Sequence, residues 1–179
     1  MTRQERRFWT GRFEEKFKTA QSAHAPLVVL WGPGRHDIEG FRKRQKLARA
    51  IRRESPTASV LYPEEQTSVA ITRPYASGAD RQEAFQAIAA DLVFALDIAP
   101  GVSEEIARYS VNQDIARRLI VIAPESKRHG YTGIVRQALN VSFLRDSELR
   151  DCRSASAVCK REIRAWLIGK LLEEGLAYR

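Results

Sequence analysis

Residues 90–110, ADLVFALDIAPGVSEEIARYS, hold the densest set of side chains able to do chemistry. Asp91 and Asp97 bracket an apolar run, Gly101 follows it after Pro100, and Glu105 stands four residues beyond that glycine. A carboxylate in such a place can stabilise or attack a carbon that becomes cationic, and it needs no metal to do so. Ser103 reads as an N-cap, which puts Glu104 and Glu105 in the first turn of a helix, where the dipole alone would favour them. A second chemistry-bearing loop is Trp31-Gly32-Pro33-Gly34-Arg35. Gly32 and Gly34 permit close backbone approach to a phosphate or ribose, with Arg35 near for charge; a plain tight turn accounts for them nearly as well. The loop is neither a Walker A nor a GxGxxG sequence, so P-loop NTPase chemistry has no support. His24, His36 and His129 are scattered, so no metal-ligand spacing exists, and Ser103 is not in a GxSxG elbow. Cys152 and Cys159, seven apart on a segment read as helical, fit core thiols better than a redox pair.

These groups need a frame. Leu27–Trp31, Ala58–Tyr62, Asp91–Asp97, Leu119–Ala123 and Val141–Leu144 are short apolar runs, each followed by a turn or helix signal. Helices are expected over Phe41–Arg53, Arg81–Ala90, from Ser103 onward, around Ile134–Leu139 and from about Ser156 to Leu172. Glu64–Ala79 shows no sustained period and reads as a long excursion. Continuous apolar strands alternating with helices predict a single α/β domain: a flavodoxin-like (Rossmann-like) three-layer fold with a five-stranded parallel sheet plus N- and C-terminal helices. In such sheets ligands bind beyond the carboxyl ends of the strands. The segments expected to form the site are therefore Gly32–His36, Pro63–Thr67, Asp97–Glu105 and Pro124–Gly130. Phe8, Trp9, Phe13 and Phe17 recur at helical spacing, giving an N-terminal helix whose aromatic face must cover its own sheet or a partner.

The 179 residues are 44% hydrophobic, enough for one core, and contain no apolar run of membrane-spanning length. The N-terminus lacks the pattern of a secretory signal and two cysteines make no disulfide framework, so a cytoplasmic setting is expected. A formal charge of +8 favours anionic partners, nucleotides first and nucleic acid on charge alone, although a solvated basic face is the blander reading.

Gly101-Val102-Ser103-Glu104-Glu105-Ile106-Ala107 resembles the Gly-x-x-x-Glu-aliphatic-small pattern of the nucleoside 2-deoxyribosyltransferase-like group and of the TIR-type NAD hydrolases. The likeness extends over about Val28 to Leu144. It implies a nucleotide N-glycosidase that cleaves or transfers at the ribosyl C1′–base bond of NAD or a nucleoside, with Glu105 as the catalytic carboxylate and no cofactor. Asp91 and Asp97 would then hold ribose hydroxyls, and Trp31 or Tyr62 would stack a base. The transferases carry an Asp where this chain has Ala99, so the likeness favours the hydrolases, which rely mainly on the glutamate. Such stand-alone domains often serve as bacterial defence or toxin effectors switched by a regulatory partner or by homo-oligomer assembly. The rival expectation is a nucleotide-sensing or protein-interaction module of the same fold, without turnover.

Overall fold

The computed structural model describes residues 3–131 and 139–177. Its centre is a five-stranded sheet of β1 (Leu27–Trp31), β2 (Ser59–Leu61), β3 (Leu92–Leu96), β4 (Leu119–Pro124) and β5 (Asn140–Leu144). All pairs are parallel and the order is β2-β1-β3-β4-β5, the flavodoxin-like arrangement. β3 is central and buried at every position, which is why LVFAL carries no polar alternation. β2, at one edge, is only three residues long.

Strand residues alternate between two cores. Val28, Leu30, Phe94, Leu96, Ile120 and Ile122 face one helical layer; Val29, Trp31, Val93, Ala95, Val121 and Ala123 face the other. The first layer holds α2 (Ile38–Glu54), entered after β1, and α8 (Arg153–Ala177), entered after β5 and the short α7 (Asp146–Asp151). The second holds α4 (Ala79–Ala89), α5 (Pro100–Tyr109) and α6 (Gln113–Ala116), with α3 (Gln66–Thr72) packed on α4. The three-layer expectation therefore holds. Sheet order reverses between β1 and β3, so the loops leaving those two strands diverge and open a crevice.

Several local readings need correction. α5 begins at Pro100, not Ser103: proline at the first helical position lacks the N–H that would go unpaired there, and Ala99 is the N-cap. Glu104 and Glu105 accordingly lie in the second turn, beyond the reach of the dipole argument, and the Ser103 hydroxyl turns to Asp97 instead. The excursion after β2 contains α3. Its inward residues are Ser68 and Thr72, whose polarity erased the apolar period; the Thr72 hydroxyl donates to the Ser68 carbonyl at 2.9 Å. Cys152 is the left-handed residue (φ 62°) that closes α7, so the two cysteines do not share one helix, although both are buried free thiols. Burial pushes the Cys159 thiol up, consistent with an inert core position. The helix expected around Ile134 lies outside the described residues.

The N-terminal helix, α1 (Arg3–Ala23), packs mainly on α8 rather than on the sheet, since α2 and α8 already cover that face. Ala20 and the half-buried Phe17 reach the core, whereas Phe13 is 70% and Phe8 59% exposed. The Trp9 side chain lies outside the described residues. Of the described residues, no helix is long and apolar enough to cross a membrane.

Candidate functional site

A cleft of about 910 Å³ opens at the carboxyl ends of β1 and β3. It is walled by residues 31–36 at and after the end of β1, by 63–67 after β2 and by 99–102 and Glu105 after β3. Three of the four expected segments thus meet there. Trp31, Gly32, Gly34, Arg35, Gly101 and Glu105 all line it, with Arg44 and Glu83 as additions that the sequence did not single out.

Arg44 holds the wall together. It is 1% exposed, and its guanidinium donates to the Leu30 carbonyl (2.9 Å from Nε), to the Gly32 carbonyl (3.3 Å) and to Glu64 (3.0 Å from Nη2, with a second, parallel bond). The ring of Tyr62 lies 4.6 Å below it. A buried cation is tolerable only with its donors satisfied, and here they are. The same contacts explain Gly32, where a Cβ would stand 3.0 Å from the Arg44 stem. Because these donors are engaged internally, Arg44 shapes the cleft and does not serve as a free anion clamp. Among the described glycines Gly40 has the tightest surroundings: a Cβ there would lie 2.4 Å from the Asp37 carboxylate and 2.6 Å from Pro33, so the glycine lets α2 press against the loop after β1.

That loop ends in an N-cap, with Asp37 accepting from the Gly40 N–H at 2.9 Å, and Asp37 N–H donates to the Gly34 carbonyl at 3.1 Å. The N–H groups of Gly34, Arg35 and His36 have no backbone acceptor among the described residues. Arg35 sits at the rim, exposed, 3.5 Å from Glu65.

Opposite stands a pair of carboxylates. Burial is the main cause that raises Glu105 from the ordinary carboxylate range to about 7, and the charge of Glu83 is the next. Glu83 is itself raised, first by burial and then by Asp80. A like charge lining the same cleft disfavours ionisation of Glu105, as burial does, so both causes act in one direction on this carboxyl. Trp31 underlies this region. It is 1% exposed, its ring centroid lies 5.3 Å from that of Tyr109, and its Nε1–H is buried with no acceptor among the described residues.

The remaining expected site residues lie elsewhere. Tyr62 is buried between Arg44 and Phe41, outside the cleft, and offers no face to a base. Asp91 is at the opposite end of β3, where its carboxylate accepts from the Leu27 N–H at 2.9 Å and ties two strand starts together. Asp97 is fully buried and accepts from Ser103 Oγ (2.6 Å), Lys127 Nζ (2.7 Å) and Tyr131 Oη (2.6 Å). With Lys127 also donating to Ser103 at 2.7 Å, this cluster borders a separate cavity of about 310 Å³. The fourth expected segment, 124–130, belongs to that neighbour and not to the cleft. Asp97 and Ser103 therefore fix the loops after β3 and β4 and are not aimed at a ribose. Among the described residues no cluster of His, Cys, Asp and Glu could hold a metal.

Sequence signals for the two missed residues exist. Arg44 falls on the buried stripe Gly40, Leu47, Ala48 and Ile51 of α2. Glu83 falls three and four residues before the buried Gln86 and Ala87 of α4. A charged residue on an inward stripe is the mark of a paired or perturbed group.

No protein-family model matches the chain, and no curated protein matches it. Among solved structures the chain is similar to a conserved protein from Enterococcus faecalis V583, at 17% identity and a TM-score of 0.45, over 74% of this chain and 99% of that one.

Proposed function

We propose that the cleft is the active site of a nucleotide N-glycosidase, acting at the C1′–base bond of NAD or a nucleoside. The observation that carries this reading is Glu105, raised to about 7 first by burial and then by the Glu83 charge, lining one cleft with Glu83 and with a glycine-rich loop. Cleaving an N-glycosidic bond builds positive charge at C1′ and negative charge on the departing base. Glu105, raised to about 7, stands near neutrality between an ionised oxygen for the sugar and a proton for the base, with Glu83 as a second carboxyl in the same cleft. Where the base leaves as neutral nicotinamide, the ionised member suffices. Backbone N–H groups of Gly34–His36 and the Arg35 guanidinium are disposed to receive a phosphate at the rim.

The test is mass spectrometry of a pool of NAD, nucleosides and nucleotides incubated with the protein and with Glu105→Gln. Free base is expected from the first and not from the second. A pool left intact by the wild type refutes catalysis and leaves the cleft as a binding module, which equilibrium binding of the same pool then measures.

A further inference from the structure

We infer that the groove between α2 and α8 binds the phosphodiester backbone of a polynucleotide. The cleft plays no part in this, since the groove lies along the outer surface of the other helical layer.

The charge of the chain is concentrated here. α2 carries seven basic residues and two acidic ones. Lys43, Arg44 and Glu54 are spent on internal partners, namely Glu39, Glu64 and Arg164. Arg42, Lys46, Arg49 and Arg53 are exposed and have no ion-pair or hydrogen-bond partner among the described residues. At spacings of four, three and four residues they occupy one face of the helix, a row roughly 16 Å long. α8 supplies the facing wall. Lys160 lines the groove without an ion-pair or hydrogen-bond partner among the described residues, while Arg153 and Asp151 neutralise each other at 3.3 Å. Ala50, Cys152, Ser156 and Ala157 form a floor of small side chains, which leaves a cavity of about 590 Å³ between the cationic walls.

The layout selects the ligand. A small polyanion is held by buried donors that converge on one point, whereas the four cations that line this groove and have no ion pair among the described residues, Lys46, Arg49, Arg53 and Lys160, are spread along its open walls. Among the described residues no aromatic ring lines the groove to stack a base. A row of exposed cations over a shallow trough fits repeated phosphates and leaves the bases unread.

The test is fluorescence anisotropy of a labelled mixed-sequence duplex, about 20 base pairs long, titrated with the full chain across salt concentrations. Contacts from Lys46, Arg49, Arg53 and Lys160 give a slope of log K against log salt near −3.6, so affinity falls roughly 150-fold from about 50 to 200 mM salt. The triple variant Lys46→Gln, Arg49→Gln, Arg53→Gln is expected to reduce the slope to about −0.9, with its melting temperature unchanged because all three side chains are exposed. A control triple, Arg73→Gln, Arg81→Gln and Arg117→Gln, removes the same charge from the opposite layer and should retain affinity within about twofold. Equal loss in the two triples would reduce the effect to net charge and overturn the assignment. So would absence of binding at low salt, or competition by polyglutamate or by anionic lipid vesicles as strong as by unlabelled duplex.

Discussion

Replacing Glu105 by glutamine should stabilise the protein, and by an amount that depends on pH. Glu105 is raised from 4.5 to about 7 by burial and by the Glu83 charge. Between pH 4.5 and 7 the folded state holds a proton at this group that the unfolded state has released. Stability is therefore fully present below pH 4.5 and is lost as pH rises through about 7. At about 1.4 kcal/mol per unit, the shift corresponds to roughly 3 kcal/mol of destabilisation above pH 7, as an upper figure. Glutamine keeps the shape and carries no charge, so it removes this cost. In a chain of this size, about 3 kcal/mol raises the melting temperature by roughly 6–12 °C. Differential scanning calorimetry of both proteins from pH 4 to 8.5 reads the effect directly. The two curves should nearly coincide at pH 4 and separate progressively to pH 8. A gap that is constant across pH, or a variant less stable than the wild type at pH 8, would refute the burial and coupling argument.

Three further outcomes follow from the same geometry. Glu83→Gln removes the second-largest cause of the Glu105 shift, so the Glu105 midpoint should fall below about 7 in a carbon-detected NMR titration of glutamate side chains; an unmoved midpoint would show that the two carboxyls do not interact. Arg44→Met leaves the carbonyls of Leu30, Gly32 and Pro33 without this donor, while the exposed Glu64 is resolvated, so it should cost about 1–3 kcal/mol, or roughly 2–12 °C in calorimetry. Gly101→Ala adds a Cβ that meets nothing within 4 Å, at a helix position where alanine is favoured by up to about 1 kcal/mol. The variant should be as stable as wild type or more so, yet bind cleft ligands more weakly, as isothermal titration would show; unchanged affinity would mean that no ligand approaches the α5 backbone.

The frame was legible because its signals are local and redundant. LVVLW, LVFAL and LIVIAP are continuous apolar runs, and strands covered by helices on both faces require that. Parallel order then follows from the alternation, and the cleft from the place where order reverses. Glu105, Gly34 and Arg35 could be placed near one another on that logic alone. What failed depended on partners distant in sequence. Asp97 looks like a site residue until Lys127 and Tyr131, thirty or more positions away, are seen to occupy its carboxylate. Tyr62 looks exposed at a strand end until Arg44 covers its ring. α3 was hidden because hydroxyls rather than methyl groups fill its inward positions. Glu83 becomes a candidate only when α4 is docked beside α5, where burial raises both carboxyls.

The central claim is that Glu83 and Glu105 act together on an N-glycosidic bond. The most direct measurement is the pH dependence of base release from NAD and from a purine nucleoside by the wild type, Glu83→Gln and Glu105→Gln. The wild type should release base with an ionisation near pH 7 in its rate profile, Glu105→Gln should be inactive while folded, and Glu83→Gln should lose most of the nucleoside reaction and displace that ionisation downward. Base release by Glu105→Gln at the wild-type rate, or a wild type that releases none at any pH, would contradict the account.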